Sequence, residues 1–195
     1  MITTDQIKEL RDKTGVSIMQ CKKALEEVGG DMEKALVVLT KKSGEIAAKK
    51  SDRQLGAGVV QAYIHADNTV GALVELSCET DFVAKNEEFV TLARDIAMQI
   101  TAVNPGFLKK EDISEEAKQK AKEVFLTEVE DKPEEMKEKI LEGKLASYFK
   151  ERVLLDQSFI KNSDISVNDL IQSAIQKFGE KIEVTNFSRF SASGK

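Results

Sequence analysis

Apolar residues between positions 1 and 43 recur at the three- and four-residue intervals of an amphipathic helix, in three short runs. Thr3, Ser17 and Asp31 precede these runs as N-caps, and glycines such as Gly15 follow the first two runs as stop signals. The pattern predicts three short helices joined by tight turns, which form a small bundle over residues 1–43.

The next pattern predicts two strands, over residues 59–66 and 70–78, which are rich in β-forming residues and separated by three turn-forming residues. A three-residue loop pairs Ala66 with Val70 and gives the hairpin a wholly apolar face. That face consists of Val60, Ala62, Ile64, Ala66, Val70, Ala72, Val74 and Leu76. Residues 181–190 also have strand character and are a candidate third strand.

Helical periodicity returns after the second strand and continues to Gly179, with N-caps at Ser114 and Ser166. The predicted fold class is therefore α+β, with an N-terminal three-helix bundle followed by an antiparallel sheet that helices cover on one face. Residues 44–57 have little apolar face and lead into a pair of glycines. We therefore predict a bundle at 1–43, a linker at 44–57 and a core domain at 58–195.

Composition and charge narrow the classes of function. Hydrophobic residues are 41% and charged residues 32% of the 195 residues, as in an ordinary folded protein, and the net charge is −5. Basic and acidic residues are mixed along the same helices, which argues against a direct nucleic-acid partner. Because no apolar run approaches the roughly 20 residues of a membrane span and no signal peptide is apparent, we expect a cytoplasmic protein without a membrane partner.

Catalytic motifs are lacking in the sequence. It contains no phosphate-binding glycine loop, no H-E-x-x-H and no G-x-S-x-G. With one histidine and two cysteines, one chain cannot supply four nitrogen or sulfur ligands to zinc. The Cys78 and His65 pair, a candidate for a cysteine hydrolase, would lie at opposite ends of the predicted hairpin. We therefore predict that the chain is not an enzyme and needs no cofactor or metal.

The segment after the second predicted strand places an acid beside an aromatic residue, Asp81-Phe82, between a strand end and a helix start. One interpretation is that Phe82 folds back onto the core and Asp81 caps a turn. The other is that the loop presents Phe82 to a partner's pocket, because aromatic side chains on loops are favoured anchors. Met19, beside Ile18 at the start of the second helix, raises the same choice between an incidental surface residue and a soft contact.

Two longer stretches carry a family resemblance. Residues 80–85, Thr-Asp-Phe-Val-Ala-Lys, resemble the signature loop of the elongation factor Ts family. Residues 14–25, Thr-Gly-Val-Ser-Ile-Met-Gln-Cys-Lys-Lys-Ala-Leu, resemble the N-terminal signature of the same family. Shorter segments at 62–65 and 142–145 are also similar, so the resemblance runs through most of the chain in the expected order. One departure is Gln20, where the family often has an aspartate.

The resemblance implies a ubiquitin-associated-like bundle and a core domain that together bind elongation factor Tu, a GTP-binding protein, and promote release of GDP and magnesium during translation elongation. The stretch associated with magnesium dislocation matches Thr80, Asp81, Phe82 and Val83. The bundle positions that match partner contacts are Leu10, Val16, Ile18 and Met19.

The length implies the short form of this family, with a single core unit, and we expect a homodimer. A small sheet with one covered face needs its other face or an edge buried, which favours the same conclusion. An alternative function is a peptide- or nascent-chain-binding module built on the helical bundle. That alternative explains residues 1–43 but leaves the segment 80–85 without a role.

Overall fold

The computed structural model describes residues 2–129 and 133–192. Its helices and strands follow one another along the chain as α1 (Thr4–Thr14), α2 (Ile18–Glu27), α3 (Met32–Ala48), β1 (Ala57–Ile64), β2 (Val70–Cys78), α4 (Asp81–Ala84), α5 (Glu87–Val103), α6 (Glu115–Glu128), α7 (Glu134–Lys150), β3 (Ser158–Phe159), β4 (Asn162–Ser166), α8 (Val167–Phe178) and β5 (Ile182–Ser191). The chain divides into two compact units, one of Met1–Ala102 with Ser158–Lys195 and one of Val103–Gln157. The mixture of helices and antiparallel strands confirms the α+β fold class.

Local signals place the three N-terminal helices. The Thr3 hydroxyl accepts a hydrogen bond from the Gln6 amide, and the Gln6 side chain accepts one from the Thr3 amide, which completes the capping box of α1. Gly15 ends α1 in the left-handed conformation, at φ 68°. Apolar residues from all three helices then form one closed core, made of Leu10, Val16, Cys21, Ala24, Leu25, Ala35 and Leu39.

Helix α3 continues beyond the predicted end of the bundle, through Ala48, into the segment predicted as a linker. Its C-terminal half lies against α8, where the Ser43 hydroxyl donates to the Gln176 side chain. The division into bundle, linker and core domain at 1–43, 44–57 and 58–195 remains a prediction.

The main sheet has three antiparallel strands in the order β1-β2-β5, so the predicted third strand is present at one edge of the hairpin. The predicted hairpin register is wrong by one residue. The structure pairs Val60 with Glu75 and Ile64 with Gly71, whereas the prediction paired Ala66 with Val70.

The turn explains the register. The His65 amide donates to the Val70 carbonyl at 2.9 Å and the Asn68 amide donates to the His65 carbonyl at 2.8 Å, which leaves four residues in the loop instead of three. Asn68 adopts φ 58°, a left-handed conformation that asparagine tolerates better than most residues. Because side chains alternate between faces, a shift of one residue moves the apolar side chains of β1 to the face opposite Val74 and Leu76.

The two faces of the sheet therefore differ. On one face Val74, Leu76 and Cys78 of the central strand are buried. Helices α5 and α8 lie on this side, since the Phe89 and Phe178 rings meet edge to face at 6.0 Å and the Arg189 guanidinium of β5 donates to the Thr101 carbonyl of α5. On the other face an apolar surface is exposed, which we call the open sheet face. It consists of Val60, Ala62, Ile64, Leu73 and Phe190.

A short hairpin, β3-β4, was not predicted from the sequence, and a buried glutamine connects it to α5. The Gln99 side chain donates to the Ser158 carbonyl at 3.2 Å and accepts from the Ile160 amide at 2.9 Å. Gln99 thus satisfies two backbone groups of the hairpin inside the protein, where an unpaired group would cost free energy.

In the second unit, α6 and α7 run antiparallel, as the Phe125–Tyr148 ring contact at 5.4 Å and the Glu128–Lys144 ion pair show. Aromatic rings continue along this pair of helices, because Tyr148 also meets Phe149 at 5.1 Å and Phe149 meets Phe107 at 6.3 Å. The predicted N-cap Ser114 is confirmed, since its hydroxyl accepts from the Ala117 amide.

Candidate functional site

The segment that follows β2 forms the candidate site, and we call Glu79–Lys85 the site loop. Strand β2 ends at Cys78, the chain bends at Glu79, Thr80 is extended, and α4 then makes a single helical turn. Thr80 is the N-cap residue of α4, but its hydroxyl makes no capping bond. Instead the hydroxyl donates to the carboxylate of Glu180, which lies just beyond the end of α8.

Phe82 is 81% exposed, although it lies beside buried residues. Val83 and Ala84 occupy the next two positions of α4 and are both buried. Successive residues of a helix point about 100° apart, so one turn can anchor itself through Val83 and Ala84 while Phe82 points outward. The interpretation in which Phe82 folds back onto the core is therefore wrong. Val83, which was predicted with the contact residues, instead attaches the loop to the protein interior.

Asp81 is also exposed, and its carboxylate pairs with the Lys85 ammonium at 2.6 Å. The hydrogen bond from Lys85 holds the pKa of Asp81 below its usual range, so the carboxylate is charged at neutral pH. An exposed ion pair of this kind contributes little to stability. Asp81 can therefore exchange Lys85 for a partner's group at small cost.

Three groups from the rest of the first unit support the base of the site loop. The Glu180 carboxylate accepts from the amides of Glu79 and Thr80 at 3.1 and 3.0 Å. The Glu79 carboxylate accepts from the Lys181 amide at 2.6 Å and pairs with Arg53 at 3.1 Å. The Lys181 hydrogen bond, together with Arg53, lowers the pKa of Glu79. Sequence analysis missed Glu180 and Arg53, because neither lies near the loop in the chain and neither belongs to a motif.

The four bundle positions predicted to contact a partner divide into two pairs. Ile18 and Met19, at the start of α2, are exposed, and Met19 has 68% of its surface accessible. Leu10 and Val16 are buried in the bundle core. Of these four residues, Ile18 and Met19 are therefore accessible to a partner. Leu10 and Val16 instead pack the bundle that includes α2.

The cysteines do not have the environment of nucleophiles. Both thiols are buried, and burial raises the pKa of Cys21 and of Cys78. The thiolate, which is the reactive form, is thus disfavoured. Cys78 donates to the Thr80 carbonyl at 3.2 Å, so it belongs to the base of the site loop. His65 lies beyond the far end of β1, beside Tyr63.

Residues 2–129 and 133–192 contain no cluster of three or more His, Cys, Asp or Glu side chains that could hold a metal ion. Within the same residues, no helix combines the length and the apolar character that crossing a membrane requires.

Comparisons with known proteins identify the family of the chain. The family model described as Elongation factor TS matches residues 3–194. The chain belongs to the elongation factor Ts family. It is 50% identical over 192 residues to Elongation factor Ts of Carboxydothermus hydrogenoformans, covering 97% of this chain and 88% of the relative. It is also 50% identical over 190 residues to that of Thermodesulfovibrio yellowstonii, covering 97% and 95% of the two chains.

A third relative, Elongation factor Ts of Thermosipho melanesiensis, is 47% identical over 193 residues and is covered to 98%, as is this chain. Elongation factor Ts is the nucleotide exchange factor of elongation factor Tu, and the chain has this role in translation elongation. The site loop and the exposed residues of α2 are therefore candidates for the surfaces that act in exchange.

Proposed function

We propose that the chain releases GDP and magnesium from elongation factor Tu by inserting Phe82, with Asp81 beside it, next to the nucleotide site of that partner. The observation that supports this is the exposure of Phe82 on a turn whose next two residues, Val83 and Ala84, are buried. An isolated phenyl ring held in water contributes nothing to the fold, whereas aromatic anchors dominate many protein interfaces. Thr80 and Val83 hold this turn in place from either side.

The mechanism requires no covalent chemistry. The factor binds the nucleotide-free partner better than the GDP-bound partner and thereby shifts the partner toward release. The coupling is reciprocal, so GDP weakens binding of the factor by the same ratio. Magnesium offsets phosphate charge in nucleotide sites, and its displacement therefore weakens GDP binding. On this proposal the chain is not an enzyme in the usual sense and needs no cofactor of its own.

Ile18 and Met19 provide a second proposed contact, from α2 to the GTP-binding domain of the partner. The thioether of Met19 is polarisable and adapts to an irregular apolar surface. This contact would add affinity without acting on the nucleotide. Met19→Ala should therefore weaken the complex while the maximal release rate is kept. The proposed site of action is the cytoplasm, where translation elongation takes place.

The test of the proposal is release of fluorescent GDP from elongation factor Tu, with and without the protein. Wild type should accelerate release, and Phe82→Ala should remove at least roughly thirtyfold of that acceleration, the equivalent of about 2 kcal/mol for a central aromatic anchor. Val37→Ala is a control, because it removes another exposed apolar side chain, which lies on α3 and outside the open sheet face. Equal rates for wild type and Phe82→Ala would refute the proposed role. No acceleration by wild type at any concentration would instead favour the peptide-binding alternative on the bundle.

We also propose that the protein is a homodimer that buries the open sheet face. Val60, Ile64, Leu73 and Phe190 are all exposed on this face, and Leu73 lies on the central strand between the other strands. A contiguous exposed apolar patch is typical of an interaction surface. Because these side chains are exposed, no described residue of the first unit covers the open sheet face.

Sedimentation velocity at micromolar concentration tests the dimer. Wild type should sediment as a dimer, and Leu73→Lys should sediment as a monomer because a lysine on the central strand would be buried without a partner. Val37→Lys is the matched control, since Val37 is equally an exposed apolar residue but lies on α3. A monomeric wild type, or a dimeric Leu73→Lys, would contradict the proposal.

A further inference from the structure

The carboxylates of Glu79 and Glu180 lie below the site loop, and each accepts hydrogen bonds from the chain segment that contains the other. Glu180 accepts from the amides of Glu79 and Thr80 through one oxygen, at 3.1 and 3.0 Å, and from the Thr80 hydroxyl through the other, at 2.5 Å. The Glu79 carboxylate accepts one hydrogen bond at 2.6 Å from the amide of Lys181, the next residue after Glu180. The end of β2 and the start of β5 are thus joined by four polar contacts outside the sheet ladder.

We propose that Glu180 is a positioning residue for nucleotide exchange, because its carboxylate fixes the backbone from which α4 begins and so sets the direction in which Phe82 points. The proposal rests on the function proposed above for Phe82. Glu180 need not touch the partner, because it acts through the amides of Glu79 and Thr80.

A carboxylate is well suited to this position. The chain leaves the sheet ladder at Glu79 and enters a helix at Thr80, where backbone amides have no partner within either element. Two amides and one hydroxyl converge on the site, and a carboxylate offers about four lone-pair positions to such donors. Without Glu180, water would satisfy these donors and the start of α4 would no longer have one fixed conformation.

Glu180 is itself held in position. It follows Gly179, which ends α8 at φ 74°, a conformation that costs other residues free energy. The Lys50 ammonium donates to the Gly179 carbonyl at 2.8 Å, and the Lys181 ammonium donates to the Ser51 carbonyl at 2.7 Å. The turn between α8 and β5 is therefore tied to the segment after α3, and the glutamate has a fixed base from which to hold the loop.

A positioning role and a purely structural role predict different results. Phe82 is outside the core, so a loosened loop leaves the packed interior intact and lowers only the fraction of molecules in which Phe82 points toward the partner. The Glu180→Ala variant should therefore accelerate GDP release about tenfold less than wild type at equal concentration, the effect of losing about one hydrogen bond. Its thermal midpoint should change little, and the amides of Glu79 and Thr80 should exchange faster with solvent.

Conservative variants separate geometry from charge. Glu180→Gln keeps the oxygen that accepts both amides, and its NH₂ group can donate to the Thr80 hydroxyl, so we expect release within about twofold of wild type. Glu180→Asp keeps the charge but is one methylene shorter, so it should resemble Glu180→Ala. Glu183→Ala is the matched control, because Glu183 is a nearby exposed glutamate on β5 that pairs with Lys181 and makes no bond to the loop.

The experiment measures fluorescent GDP release from elongation factor Tu with wild type, Phe82→Ala and the four variants at positions 180 and 183, together with amide exchange of the free proteins. The expected order is wild type, Glu183→Ala and Glu180→Gln fast, and Glu180→Asp, Glu180→Ala and Phe82→Ala slow. If Glu180→Ala does not fold, the Gln and Asp variants decide between geometry and charge.

A wild-type rate for Glu180→Ala with a slow Phe82→Ala would overturn the positioning role and leave the proposed function intact. A slow Glu180→Gln would also overturn it, because the effect would then come from charge. A wild-type rate for Phe82→Ala would instead remove the function on which the inference rests.

Discussion

Phe82 and Phe89 occupy opposite environments, although a single turn of helix and a short connection separate them. Phe82, in the site loop, is 81% exposed, whereas Phe89, in the first turn of α5, is fully buried against Phe178. The residue type is the same and so is the local preference for helix. The two rings differ in when they leave water. Burial of the Phe89 ring stabilises the folded chain, whereas the Phe82 ring can be buried only when a partner covers it.

The largest expected effect is on the free energy of unfolding, which should differ between the Phe89 and Phe82 variants. Phe89→Ala should lower the free energy of unfolding by about 3–5 kcal/mol, because it leaves a cavity between α5 and α8. Phe82→Ala should change it by less than about 0.5 kcal/mol, as for most surface substitutions. Urea denaturation followed by circular dichroism measures both. A large loss in the Phe82 variant would mean that the ring stabilises the fold after all.

The next effect is on the rate of GDP release and tests which property of the Phe82 side chain matters. Phe82→Leu keeps an apolar side chain but loses the flat ring, so GDP release should be about fivefold slower than with wild type, a difference of about 1 kcal/mol. Stopped-flow release with elongation factor Tu gives the rates. A Leu variant as slow as Phe82→Ala would show that only the ring shape matters, and a Leu variant as fast as wild type would show that any apolar group suffices.

A smaller effect comes from a comparison of two helix ends at which a glycine is left-handed. Gly15 and Gly179 have φ values of 68° and 74°, and a Cβ at either position would meet no atom within 4 Å. Alanine at each should therefore cost a similar amount, about 1 kcal/mol of backbone strain, measured by urea denaturation. Only Gly179→Ala should also slow exchange, because it moves Glu180. Equal exchange rates for the two variants would show that the end of α8 does not influence exchange through the site loop.

The smallest effect concerns pH. The pKa of Glu79 is lowered in the folded protein, mainly by the Lys181 amide, from an unfolded value near 4.3. Its contribution to stability is therefore complete above about pH 4.3 and is lost as the pH falls through the lower folded value. The stability difference between wild type and Glu79→Gln should shrink between about pH 5 and pH 3. A difference that stays constant over this range would contradict the assignment.

Part of the fold could be predicted because it depends on neighbours in the chain. The N-caps Thr3, Asp31 and Ser166 and the stop at Gly179 all act within one helical turn, and each is present in the structure. The segment Asp81-Phe82 stood out as a candidate site because of its position between a strand and a helix. Its family signature added the partner. These features need only local geometry or a pattern of letters.

Other features depend on contacts between distant residues. The hairpin register was decided by a four-residue turn and by packing of Val74 and Leu76 under helices, and a pattern of apolar residues on β1 favoured the wrong face. The sequence raised two interpretations of Phe82, and the burial of Val83 and Ala84 decided between them. The hairpin β3-β4 contacts Gln99, a buried polar residue whose side chain bonds to backbone groups about 60 residues away in the chain.

By itself the sequence determined most of the helices, the strands of the main sheet and the candidate functional segment, since backbone propensity, caps and turn chemistry act over a few residues. Only the tertiary structure decided which apolar side chains are covered, which face of the sheet is open and which residues hold the site loop. Glu180 is the clearest case: it lies a hundred residues from Thr80 in the chain and within 3.0 Å of its amide in the fold. Free energies of burial and of long-range hydrogen bonds depend on the whole chain, so no local pattern contains them.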